Sequence, residues 1–115
     1  MNNTNNIHEK LNLSFEELYA ELATGLSKGA SPGDLIKRGK EIYENLREKL
    51  HDKICLSDAV HESFSRGDKV LLVAALVDCV SGAITGISPV TFCVLLAKEG
   101  VSTLCATEWS KKSDE

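Results

Sequence analysis

The sequence is short of aromatic residues, of net positive charge and of any catalytic motif, and each shortage excludes a class of structure or function. Aromatic residues make up 5% of the 115 residues, so aliphatic side chains must provide most of the buried area. A formal net charge of −4 argues against a nucleic-acid partner, because binding a polyanion requires a basic surface. No glycine-rich phosphate loop or cofactor fingerprint is present. We therefore predict a non-enzymatic protein without a cofactor.

Cysteine occurs four times, at intervals of 24, 14 and 12 residues that match no zinc or redox motif. Cys55, Cys79, Cys93 and Cys105 all have apolar neighbours, which is typical of thiols buried as small hydrophobic side chains. An even number of cysteines is also compatible with two disulfides. Residues 1–6 contain no apolar secretory segment, so we expect reduced thiols and a cytoplasmic location.

Polar capping signals predict where the first helices begin. Residues 1–12 are expected to form a flexible polar tail. Ser14 and Glu17 form a capping box at the start of the first helix, and its apolar stripe continues until Gly29. Ser31 is the predicted N-cap of the second helix.

The second helix would span 31–55, which is about 37 Å at about 1.5 Å per residue. This length already matches the diameter of a domain of this size. We therefore predict a break at 56–57, where the serine caps a short third helix that buries Val60 and Phe64.

The C-terminal half is strongly apolar. Between residues 70 and 107 the only charged side chains are Asp78, Lys98 and Glu99. We predict an almost wholly buried helix over 70–85, a turn, and a second helix over 89–99. A strand over 70–77 is the alternative, since valine-rich runs favour sheets. Small and polar residues recur there at helical spacing, which favours the helix.

The predicted fold is all-α: a compact bundle of five or six helices, 13–109, with the hydrophobic helical hairpin 70–99 at its centre. Residues 110–115 are expected to form a charged tail. The uncharged run 79–97 reaches the length of a membrane-spanning helix. The turn within it leaves pieces of about 16 and 11 residues, the second too short to span a bilayer. Membrane insertion therefore remains an alternative that we do not favour.

Few residues have the spacing of a metal or catalytic site. His51 and Cys55 lie four residues apart, and His61 or Cys79 would have to complete a zinc site. Asp58 and His61 resemble half of a di-iron motif, which needs the pair twice and two further carboxylates. A nucleophilic cysteine would need an activated thiol, but apolar surroundings raise the pKa of Cys55. We predict no metal ligand and no catalytic residue.

Asp78 is the most informative single residue, because it is an acid within an apolar helix. It lies on an exposed stripe with Ser81 and Thr85, or is buried beside a cation, or contacts a partner. Lys98 and Arg66 are the candidate cations.

The leading hypothesis for function is a protein-interaction or regulatory module that binds a protein partner or a second copy of itself. Trp109 would either anchor an interface or close the end of the core. The alternatives are a membrane-active protein that inserts 70–99 and a small thiol or metal-dependent enzyme. The candidate interaction patch consists of Asp78, Ser81, Thr85, Trp109, Glu44 and Arg47.

Overall fold

Helices account for nearly all of the chain that the computed structural model describes, which is residues 3–24 and 31–113. These residues form nine helices and no strand, which confirms the all-α class. The predicted second helix is interrupted at residue 50, and an additional helix forms at the N-terminus, so the number exceeds five or six. The helices are α1 (Asn3–Leu11), α2 (Phe15–Thr24), α3 (Pro32–Lys49), α4 (His51–Cys55), α5 (Asp58–Ser65), α6 (Lys69–Val80), α7 (Pro89–Glu99), α8 (Val101–Leu104) and α9 (Ala106–Ser113).

Capping side chains begin several of these helices, and the caps at Ser14, Ser31 and Ser57 were predicted from the sequence. Ser31, Ser57 and Ser88 each accept a hydrogen bond from the backbone N–H three residues later. The Asp68 carboxylate accepts two such bonds at the start of α6. These contacts satisfy N–H groups that lack a partner within the helix. The predicted end of the first helix at Gly29 lies outside the described residues.

The N-terminal segment corrects one prediction. Residues 1–12 were expected to form a flexible tail, but the structure has α1 there, and Ile7 is only 3% exposed. Lys10 forms an ion pair with Glu21 of α2. The tail prediction failed because a polar segment with only a few apolar residues can still pack on the core, here through Ile7.

The two helices of the apolar half differ in burial. Helix α7 contacts α1, α2, α3 and α6, and every side chain over 91–97 is buried. Helix α6 was expected to be almost wholly buried over 70–85. It ends five residues earlier and exposes Leu71, Ala74 and Asp78. The centre of the bundle is therefore α7 alone, with α6 packed on one side of it.

Aromatic rings link α2, α3 and α7. The ring centroids of Tyr19 and Tyr43 are 5.9 Å apart, and those of Tyr43 and Phe92 are 5.6 Å apart. The Tyr43 hydroxyl donates to Glu99 Oε1 at 2.9 Å, and Arg47 pairs with the same carboxylate. Burial, and then the bond to this carboxylate, raise the pKa of Tyr43. These side chains therefore pack the core and give its polar atoms hydrogen-bond partners.

The cysteines correct a second prediction. Cys55 and Cys105 form a disulfide, with their Cα atoms 5.2 Å apart, whereas four reduced thiols were expected. Their 50-residue separation made this pairing invisible to spacing arguments. Cys79 and Cys93 are free. The disulfide ties α4 to the junction of α8 and α9.

The C-terminal segment also differs from its prediction. The charged tail was expected over 110–115, but α9 continues to residue 113. Across the described helices, none combines the length and apolar character that crossing a membrane would require.

Candidate functional site

The predicted interaction patch does not form one exposed surface. Asp78, Ser81 and Thr85 are exposed, as is Glu44 on α3. Trp109 is only 7% exposed; it therefore closes the core and is removed from the patch. Arg47 of the patch is held by the ion pair described above.

The Trp109 side chain of α9 contacts α5 and the disulfide cysteine Cys55 at the end of α4. Its Nε1 donates to the carbonyl oxygen of Cys55 at 3.2 Å. The His61 ring stacks on it with centroids 4.6 Å apart, and the Phe64 ring lies 5.0 Å away. Phe64, which was expected to be buried, is 36% exposed. One part of its ring contacts Trp109, and the residue also lines a cavity.

Asp78 borders a cavity of about 160 Å³ between α1, α6 and α7. Among the described residues, the other side chains that line it are apolar: Ile7, Ala74, Val77 and Val90. The sequence singled out Asp78 but missed this cavity, because one wall comes from the segment taken as a tail.

No described side chain pairs with the Asp78 carboxylate. The two predicted cations have other partners: Lys98 Nζ donates to the carbonyls of Leu11 and Leu13 at 2.9 and 2.7 Å. Arg66 binds Glu62 at 2.8 Å. The buried-pair interpretation is wrong, and Asp78 offers an exposed negative charge beside an apolar cavity.

A second cavity, of about 230 Å³, lies between the α5–α6 turn and the end of α7. It is lined by Phe64, Gly67, Asp68, Lys69, Leu72, Ala97, Gly100 and Val101. Both cavities are smaller than the roughly 300–1,000 Å³ of a pocket for a drug-sized ligand. Each has room for a single side chain.

Apart from the two cavities, a cluster of polar side chains lies beside the Cys55–Cys105 disulfide. His51 Nδ1 lies 2.9 Å from Asp52 Oδ1, and His51 Nε2 lies 3.2 Å from the Leu104 carbonyl oxygen and 3.3 Å from Glu108 Oε1. The hydrogen bond to Asp52 is the largest cause that raises the pKa of His51. Both ring nitrogens therefore face acceptors, which favours a protonated imidazole.

The predicted partners for a metal are elsewhere. Cys79 Sγ donates to the Lys53 carbonyl oxygen at 3.3 Å, and His61 stacks on the indole described above. Of all the described residues, only His51, Cys55 and Glu108 form a group of three or more metal-ligating side chains close to one another. Glu108 was missed because it lies 53 residues from Cys55 in sequence.

The remaining free thiol is Cys93. Burial raises its pKa, and this residue is fully enclosed in α7. A buried thiol of this kind is a poor nucleophile.

Comparisons with protein families, with curated protein sequences and with solved structures found no match to this chain.

Proposed function

We propose that this protein is a non-enzymatic interaction module that binds a basic side chain of a protein partner in the Asp78 cavity. The observation that carries the proposal is an exposed carboxylate, without a partner among the described residues, on the border of an apolar cavity. No catalytic residue has to be assumed for this role.

A lysine or arginine side chain has the chemistry that the cavity requires. Its aliphatic stem can pack against Ala74, Val77 and Val90, while its charged end reaches the Asp78 carboxylate. The overall charge of −4 also favours encounter with a basic surface. We therefore expect the partner to present a basic residue from an otherwise apolar face.

A second copy of the chain suits this surface less well. A symmetric contact centred on the cavity would bring two Asp78 carboxylates together, and like charges at an interface are unfavourable. Ala74 and Ser81 are small and exposed, so the helix of a different protein can approach α6 closely.

The membrane-active alternative has less support. Insertion of 70–99 would require α7 to leave the core, although its side chains over 91–97 are all buried. Moving that apolar surface through water would be costly.

The disulfide also changes the argument about the compartment. Reduced thiols were the basis for expecting a cytoplasmic protein, and Cys55–Cys105 removes that basis. Disulfides in the cytoplasm are usually transient or redox-sensing. We propose a cytoplasmic location, where the protein exists in an oxidised form with the Cys55–Cys105 disulfide and in a reduced form without it.

A photo-cross-linking experiment tests the proposed interface. The cross-linking amino acid p-benzoylphenylalanine is placed at position 74 in one variant, and at Lys37, exposed on α3, in the control. We expect a protein captured from position 74 and not from position 37. Self-cross-linking at position 74, or no cross-link there, would contradict a basic partner.

Charge exchange then tests the chemistry with the purified partner. Asp78→Lys should weaken binding at least tenfold, about 1.4 kcal/mol, while the control Glu41→Gln on exposed α3 should not. Replacing the cross-linked lysine or arginine of the partner by glutamate should restore binding to Asp78→Lys. Equal affinity of the wild type and Asp78→Lys would refute the proposal. Flotation of the wild-type protein with anionic liposomes, if observed, would support the membrane alternative instead.

A further inference from the structure

Two side chains that can bind a metal, His51 and Glu108, lie beside the Cys55–Cys105 disulfide. We infer that reduction of the Cys55–Cys105 disulfide creates a Zn²⁺ site with Cys55, Cys105, His51 and Glu108 as its four ligands. This inference is independent of the proposed interface at Asp78.

Three of the four ligand atoms already lie near the positions that zinc requires, and Cys105 is joined to one of the three through the disulfide. One ligand atom each of His51, Cys55 and Glu108 lies within 4.8 Å of the other two. Tetrahedral zinc with bonds of about 2.0 Å to N and O and about 2.3 Å to S separates its ligands by about 3.3–3.8 Å. His51 Nε2 and Glu108 Oε1 are 3.3 Å apart. Closure therefore requires small movements, chiefly of the sulfur atoms.

The surroundings of His51 match those of a zinc-bound histidine. A metal-bound imidazole almost always donates its other N–H to a carboxylate or carbonyl group. Here His51 Nδ1 lies 2.9 Å from Asp52 Oδ1, which leaves Nε2 on the side of Glu108. Asp52 thus orients the ring for a metal bound at Nε2.

Glu108 supplies a second, independent observation. Its Oε1 atom is buried and accepts no hydrogen bond from any described residue. A buried carboxylate oxygen without a hydrogen bond is costly unless a cation is close. In the oxidised form the His51 Nε2 atom lies 3.3 Å from this oxygen, and in the reduced form Zn²⁺ would be the cation between them.

The chemistry requires a two-electron reductant of the disulfide, for which a dithiol is the example here. The dithiol transfers two electrons and two protons to the Cys55–Cys105 bond, which breaks to give two thiols, and the reductant becomes a disulfide. Zinc then binds two thiolates, and their two protons go to solvent, because the thiolate is the form that ligates metal. His51 binds through an unprotonated Nε2, so a protonated ring would also release that proton to solvent. Four protein ligands give a closed, structural type of site.

Contacts other than the disulfide keep the two cysteines close after reduction. Trp109 of α9 donates to the Cys55 carbonyl oxygen and stacks on His61 of α5. Both contacts are independent of the sulfur–sulfur bond. The reduced protein should therefore retain the arrangement of α4 and α9.

Metal titration of the full chain tests the inference, with Zn²⁺ or Co²⁺ alone as the probe. The protein is reduced with a phosphine or left oxidised, and Zn²⁺ binding is measured by competition with a chromophoric chelator. We expect one Zn²⁺ per reduced chain and none per oxidised chain. Co²⁺ should give the ligand-field spectrum of a tetrahedral site and a thiolate charge-transfer band. Failure of the reduced, folded chain to bind either metal would overturn the inference.

Matched variants locate the site. His51→Ala and Glu108→Gln should each weaken Zn²⁺ binding at least tenfold, whereas the exposed controls His8→Ala and Glu41→Gln should not change it. Cys55→Ser should remove the charge-transfer intensity of one thiolate, with Cys79→Ser as control; circular dichroism checks that each variant is folded. Zinc should also raise the unfolding temperature of the reduced wild type, which provides a measurement independent of the mutations. Binding unaffected by both His51→Ala and Glu108→Gln would place the metal elsewhere and refute the site.

Discussion

Gly39 of α3 lies against the backbone of Tyr19 in α2, and a Cβ atom at position 39 would be 1.8 Å from the Tyr19 carbonyl oxygen. Only a residue without a Cβ allows the two helices to approach this closely. Because α2 and α3 make the most extensive helix contact among the described elements, this relationship sets the position of the N-terminal half on α7.

Substitution of Gly39 should therefore destabilise the protein. Alanine is the better helix former by about 1 kcal/mol, but at position 39 it forces α2 and α3 apart. We expect Gly39→Ala to lower the free energy of unfolding by about 1–3 kcal/mol, measured by urea denaturation. Gly33→Ala is the matched control in the same helix, because a Cβ there meets no atom within 4 Å. A Gly39→Ala variant as stable as Gly33→Ala would contradict the close packing of α2 on α3.

Loss of the disulfide should destabilise the protein strongly. The bridge links residues 50 positions apart, and the chain-entropy relation gives about 4 kcal/mol for a loop of this size, with typical values of about 2–4 kcal/mol. We expect the double variant Cys55→Ser/Cys105→Ser to lose about 2–4 kcal/mol in chemical denaturation without added metal. Cys79→Ser, which leaves the disulfide intact, is the control. A double variant within about 0.5 kcal/mol of wild type would show that the bridge does not constrain the unfolded chain.

The docking of α1 should contribute measurably to stability. Ile7 is 3% exposed and lines the Asp78 cavity. We expect Ile7→Ala to cost about 2 kcal/mol, the lower end for a buried aliphatic residue, because α1 is terminal. His8→Ala, at an exposed position of the same helix, should have little effect. Equal stabilities of these two variants would favour the flexible tail that the sequence predicts.

The partly buried polar contacts of Glu21 should produce a pH dependence. Burial raises the pKa of Glu21, but hydrogen bonds from Lys10 and Thr91 outweigh it, so the pKa lies below its ordinary value of 4.5. A lowered pKa in the folded state means that the ionised group stabilises the protein above pH 4.5, and that this contribution is lost as pH falls through the folded-state pKa.

The variant Glu21→Gln tests this sign. Its stability deficit relative to wild type should be largest near about pH 7 and should shrink toward about pH 3, as measured by denaturation at a series of pH values. Glu16→Gln, exposed on the same helix, is the control. A deficit that grows as pH falls would mean that the Glu21 pKa is raised instead.

Local signals predicted the helix starts well. Ser31 and Ser57 cap α3 and α5 as expected. Each of these contacts joins residues at most three positions apart, so the information lies within a short stretch of sequence.

Long-range partners were not predictable in this way. The pairing of Cys55 with Cys105 and the approach of Glu108 to His51 both depend on how α4 and α9 meet in the folded protein. Residue patterns also could not show that α6 is covered on one side only. Asp78 could therefore be identified as unusual from the sequence, whereas the cavity beside it could not.

The disulfide also divides the chain topologically. It closes a covalent ring that contains α5, α6, α7 and α8, whereas α1, α2, α3 and α9 lie outside it. A single proteolytic cut between α6 and α7 would therefore leave the two fragments joined until a reductant separates them. The oxidised protein can lose chain continuity next to Asp78 and still migrate as one molecule.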